Sequence, residues 1–119
     1  MRDHRKLKAF ELADSLVMEI YKATQPFPKE ELYGLSAQMR RAAVSVAANI
    51  VEGCAREGRK EYKFFLTISF GSLRELGYYL DLAKRLGYIA FEPYKELKKK
   101  HEQTARVLSG LIKAIDGLA

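Results

Sequence analysis

Apolar residues in this chain recur at spacings of three and four almost from end to end. Strict alternation of apolar and polar positions, the mark of a half-buried strand, is absent. The pattern predicts four helices. Ala9, Leu12, Ala13, Leu16, Val17 and Ile20 share one face of a segment from about 6 to 24. Pro26 and Pro28 end it, because each disfavours helical backbone in the residue before it. Met39, Ala42, Ala43, Val46, Ala47 and Ile50 mark a second helix from about 36 to 54. Ser36 is its expected N-cap, and its alanine-rich stripe lets a neighbour come close. A third runs from about 59 to 86 on Tyr62, Phe65, Leu66, Leu73, Leu76, Leu80 and Ala83, with Gly87 as the residue that stops it. The fourth runs from about 93 to 118, with Pro93 at a first helical position, where its missing N–H costs nothing. Leu97, His101, Thr104, Leu108, Leu111, Ile115 and Leu118 alternate by fours and threes along it, the spacing that suits near-antiparallel packing. Four such helices with short connections predict an all-α, single-domain, up-down-up-down antiparallel four-helix bundle.

The third helix carries more than one bundle needs. Thirteen of the 22 residues from Tyr62 to Ala83 are apolar or aromatic, so a second stripe forms from Phe64, Ile68, Tyr78 and Leu82. Such a stripe is either a wide core contact, since bundle helices can bury more than one, or a subunit interface in a homo-oligomer, the reading favoured here. Polar residues also share a face. Arg41, Ser45, Asn49 and Glu52 do so on the second helix, and Ser72 and Glu75 on the third. Buried polar groups need partners, so these predict a hydrogen-bonded network between helices or subunits, with a ligand-binding polar pocket or a solvated face as the other readings. Gly71 and Gly77, inside the third helix, are expected to permit close packing.

Length and composition agree with this picture. The 119 residues make one domain, and 48% hydrophobic content is that of a globular chain. No apolar run reaches the ~20 residues of a membrane span, and Glu11, Asp14 and Glu19 interrupt what a signal sequence would need. Cys54 is the one cysteine, which excludes an internal disulfide and suits a reducing cytoplasm.

Candidate chemistry is sparse. Neither His4 nor His101 follows an acid by three residues, as di-iron bundles require, and two histidines with one cysteine are too few for zinc. No nucleophile elbow, phosphate loop or dinucleotide fingerprint occurs. His101 stands on an otherwise apolar stripe and reads as a core-edge histidine bonded to a neighbour. These observations predict a non-enzyme with no metal or cofactor.

Charge is the remaining signal. The net formal charge is +6, a balance that favours acidic partners and nucleic acid above all. Antiparallel helices would gather Arg56, Arg59, Lys60 and Lys63 with the basic N-terminal segment at one end, and Arg40, Arg41, Lys84, Arg85, Lys95 and the run Lys98, Lys99 and Lys100 toward the other. Cations at a helix N-terminus oppose its dipole, so Arg59, Lys60 and Lys63 are not there to stabilise their helix. A phosphate-bearing partner would account for them, as a solvated surface diluted by Glu57 and Glu61 also would. Arg40, Arg41, Arg56, Arg59, Lys60 and Lys63 are the candidate nucleic-acid contacts.

Several stretches together carry a resemblance: FPKEELYGL at 27–35, QMRRAAVS at 38–45, NIVEG at 49–53, FGSLREL at 70–76 and LGYI at 86–89. They resemble the four-helix-bundle family encoded in intervening sequences of bacterial 23S ribosomal RNA genes, over nearly the whole chain. One departure is Phe10, near where that family often has a tryptophan. The resemblance implies a bundle that forms a ring, commonly a homopentamer. It also implies kinship with the accessory variability protein of diversity-generating retroelements, which binds a reverse transcriptase and nucleic acid through a basic surface. It identifies Arg40, Arg41, Ser45, Asn49, Glu52, Ser72 and Glu75 as motif residues, assigned to structure and assembly. The two functional expectations are a basic oligomeric scaffold that meets RNA, DNA or a reverse transcriptase, and a purely structural oligomer without a nucleic-acid role.

Overall fold

A computed structural model describes residues 2–117. A 3-10 turn at His4–Lys6 leads into four helices: α1 (Lys8–Thr24), α2 (Leu35–Ala55), α3 (Arg59–Arg85) and α4 (Phe91–Asp116). Consecutive helices pack side by side and α1 closes the square against α4, giving the expected all-α four-helix bundle, 47 × 24 × 20 Å. None of the described helices is long and apolar enough to cross a membrane.

The buried stripes are those the spacing marks. Leu16 and Ile20 of α1, Met39 and Ile50 of α2, Leu66, Leu73, Leu76 and Leu80 of α3, and Leu108 of α4 are all but inaccessible. Burying each of these side chains contributes on the order of 1.5–3 kcal/mol. α2 and α3 share the most extensive contact. Gly53 lets the backbones approach there: a Cβ on it would lie 3.2 Å from both Phe65 Cβ and Tyr62 Cδ1. Leu118 lies outside the described residues.

The helix ends differ from expectation in two places. Ser36 does not cap α2; it is buried at the second helical position. The Glu31 carboxylate caps instead, Oε1 accepting from the Leu35 N–H at 3.0 Å. Gly34 makes room for it, since a Cβ there would lie 2.6 Å from that oxygen. Glu31 Oε2 accepts from the Tyr88 hydroxyl at 2.9 Å, and Phe27 packs on the Tyr88 ring, so one carboxylate ties the α1–α2 loop to the α3–α4 loop. α4 starts two residues early, at Phe91, and Pro93 takes its third position, where no intrahelical N–H bond is lost. The end of α3 is as expected. Gly87 has φ 79°, the Gly87 N–H reaches Lys84 O and the Tyr88 N–H reaches Ala83 O, which is a Schellman closure.

Candidate functional site

The basic residues nominated from sequence fall at opposite ends of the long axis. At the end built by the start of α3 and the finish of α2 and α4, most cations have internal partners. Lys63 Nζ lies 2.6 Å from Asp116 Oδ1. Each of these charges opposes the dipole of its own helix, and the antiparallel pairing brings the two together. Lys63 therefore needs no phosphate to explain it. Arg56 bonds Glu52 at 2.8 Å, stands 3.9 Å from Glu61 and lies over the Phe65 ring. Arg59 and Lys60 are exposed, with no ion pair among the described residues.

Toward the other end, the neighbours Arg40 and Arg41 part company. Arg40 Nε donates to Thr24 Oγ1 at 2.8 Å and its guanidinium lies over Tyr21, which ties α2 to α1. Arg41 is exposed on the α3 side, in a shallow depression of about 140 Å³ with Ser45, Ser72, Glu75 and Tyr79. Ser45 and Ser72 are bonded Oγ to Oγ at 2.8 Å, and Asn49 Nδ2 donates to Ser45 O and Oγ at 2.9 and 3.0 Å. Glu75 accepts weakly from the Tyr79 hydroxyl at 3.4 Å. Glu52 turns away to Arg56 and stands apart from the serine pair. Ser69 was not anticipated: it is fully buried and its hydroxyl donates to Val46 O at 2.7 Å, a second α2–α3 tie. Its position three residues before Ser72 was the available signal.

The second stripe of α3 divides. Phe64 (59% accessible) and Ile68 (38%) face outward. Leu82 is half-buried and packs against the core. Tyr78 (57%) lines a groove between α3 and α4. Gly71 is open, with nothing within 4 Å of where a Cβ would stand, so it permits no close contact inside the chain. A matching outer row on α2, Val44, Ala48, Val51 and Ala55, was missed, although its spacing of four, three and four is legible; all four are exposed.

His101 is held as expected of a core-edge residue. Its Nε2–H donates to Leu73 O at 2.6 Å, and Nδ1 is buried with no partner among the described residues. Burial is the main reason its pKa falls below the ordinary value; the bond to Leu73 O opposes the shift, Lys98 adds to it, and Glu102 and Asp81 oppose it. Gly77 gives the ring its place, since a Cβ there would meet it at 2.8 Å. Burial likewise pushes the Cys54 thiol up, the opposite of what a reactive thiolate needs. Among the described residues, no three His, Cys, Asp or Glu side chains gather as a metal site.

No curated protein matches the sequence. Among solved structures the chain is similar to a protein of unknown function from the S23 ribosomal protein family of Bacteroides thetaiotaomicron VPI-5482. The match has a TM-score of 0.81 and 23% identity, over 88% of this chain and 95% of that one. At that identity the likeness bears on the fold. The model of the 23S rRNA-intervening sequence protein family matches residues 5–110. With the bundle and the motif stretches in place across that span, the chain belongs to the 23S rRNA-intervening sequence protein family.

Proposed function

We propose that this chain is a non-catalytic scaffold that assembles with copies of itself through the outer face of α2 and α3. The assembly presents a basic surface to RNA, DNA or a nucleic-acid enzyme such as a reverse transcriptase. The observation that carries the reading is the pair of unpartnered apolar rows, Val44, Ala48, Val51 and Ala55 on α2 with Phe64 and Ile68 on α3. Exposed apolar rows of this kind, on either side of the polar Ser45–Ser72 seam, suit an interface. A second copy suits it because the face carries both signs of charge, Arg41 on one helix and Glu75 on the other. Five copies is the number the family resemblance implies. The +6 net charge supports the nucleic-acid part. The second reading, a structural oligomer without nucleic acid, is favoured by the internal partners of Arg40, Arg56 and Lys63.

Light scattering on the purified protein, alone and with a short structured RNA at low and moderate salt, separates the readings. A mass near five chains that rises with RNA at low salt and falls back as salt increases is the expected result. A multimer that ignores RNA selects the structural reading, and a monomer that ignores RNA overturns both.

A further inference from the structure

Resting on the nucleic-acid reading above, we propose that the groove between α3 and α4 is the seat of a single-stranded nucleic acid, with phosphates on Arg74 and Arg106 and a base against Tyr78. The groove has a volume of about 580 Å³. Its floor is the His101 ring, laid flush against Gly77 and fastened to Leu73 O. Arg74 and Arg106 face it from the two helices, both exposed and both without an ion pair among the described residues. The other charges there are largely matched. Lys98 pairs with Asp81 at 3.3 Å, and Asp81 also accepts from the Tyr94 hydroxyl at 2.6 Å. Glu102, without an ion pair among the described residues, stands one helical turn before Arg106 on the same groove, so it offsets part of that charge. The lining as a whole keeps one net positive charge, and the half at Arg74 and Arg106 is the more positive.

Two unpaired guanidiniums on facing helices suit phosphate oxygens, which the planar donor fork meets two at a time. Tyr78 is more than half exposed beside them, and a phenol ring offers the sequence-tolerant stacking surface that single-stranded binders use. A single strand leaves its bases free to stack on Tyr78, whereas a duplex keeps them paired and stacked on one another. A single strand enters it edge-on, backbone along the arginines.

The test is fluorescence anisotropy of a short labelled oligouridylate against the full chain in its native assembly, across a salt series. Three variants are compared with wild type: R74Q/R106Q, Y78A and, at the far end, R59Q/K60Q. Circular dichroism and light scattering check each one. R74Q/R106Q is expected to reduce the salt slope by about 1.4, two single-strand phosphates' worth. Y78A is expected to weaken binding about tenfold with the slope unchanged, and R59Q/K60Q to do less than either. If wild type binds and the groove variants bind equally well, the groove is overturned while the nucleic-acid reading stands. If R74Q/R106Q dissociates the assembly, the groove is a protein interface and the proposal fails. If wild type itself does not bind at low salt, the nucleic-acid reading fails and the groove with it.

Discussion

Replacing Gly77 by alanine sets two effects of opposite sign against each other. Alanine in a helix interior is favoured over glycine by roughly 1 kcal/mol. Against that, the new Cβ would lie 2.8 Å from His101 Cε1 and 2.9 Å from Nε2. The ring cannot swing aside without cost, because its Nε2–H is bonded to Leu73 O at 2.6 Å and the histidine is half-buried. Overpacking of this kind costs about 1–3 kcal/mol, and loss of the hydrogen bond about 0.5–1.5 kcal/mol. The steric side wins, for a net destabilisation of about 1–3 kcal/mol, or roughly 4 °C in Tm per kcal/mol for a chain of this size. Gly110 supplies the control. It also lies inside a helix, α4, but nothing stands within 4 Å of its Cβ position, so Gly110→Ala is expected to stabilise by about 1 kcal/mol. Urea unfolding followed by helical circular dichroism measures both. A third variant isolates the cause: with His101→Ala in the background, Gly77→Ala should turn stabilising. The reasoning is refuted if Gly77→Ala is no less stable than wild type, or if it remains destabilising once the imidazole is gone.

Other expectations follow from single contacts. The His101 pKa is lowered in the folded state, so below the ordinary histidine value the unfolded chain takes up the proton first. Stability is then full above about pH 6.5 and declines as pH falls from there toward the folded value; His101→Gln should flatten that part of a stability–pH curve, and an unaltered curve would place the dependence elsewhere. Ser45→Ala and Ser72→Ala should show a coupling of about 0.5–1.5 kcal/mol in a double-mutant cycle, and additive effects would mean the 2.8 Å bond contributes nothing net. Ile68→Asp should reduce the mass in light scattering while leaving the helical signal intact, whereas outright unfolding would make Ile68 a core residue. Leu76→Ala, at a fully buried site, should cost about 2–5 kcal/mol, and a loss under 1 kcal/mol would contradict the packing.

Most of the bundle was readable in the sequence because helical packing is periodic. Residues such as Ile20, Met39, Leu73 and Leu108 were placed inside by spacing alone, and all are buried. Gly87 was readable too, since only a left-handed residue makes that closure and glycine adopts it without strain. The cap of α2 was not: Ser36 satisfied the local rule, but Glu31, from a loop that Tyr88 holds in place, reached the free N–H first.

The candidate sites show the same division. Composition and order determine, without any structure, that this chain makes four amphipathic helices, carries a net positive charge and belongs with a particular set of motif stretches. They do not determine which cations are free. Lys63 is an unfavourable charge on α3 taken alone and a partner of Asp116 once α4 runs back beside it. Arg40 and Arg41 are neighbours in sequence, yet 100° of helical rotation sends one to Thr24 and the other toward Glu75. Arg74 and Arg106, far apart along the chain and unremarked there, become one pair across a groove. Periodicity reports which side of a helix a residue occupies; the antiparallel packing alone decides what stands opposite it, and so which charges are neutralised and which remain to meet a partner.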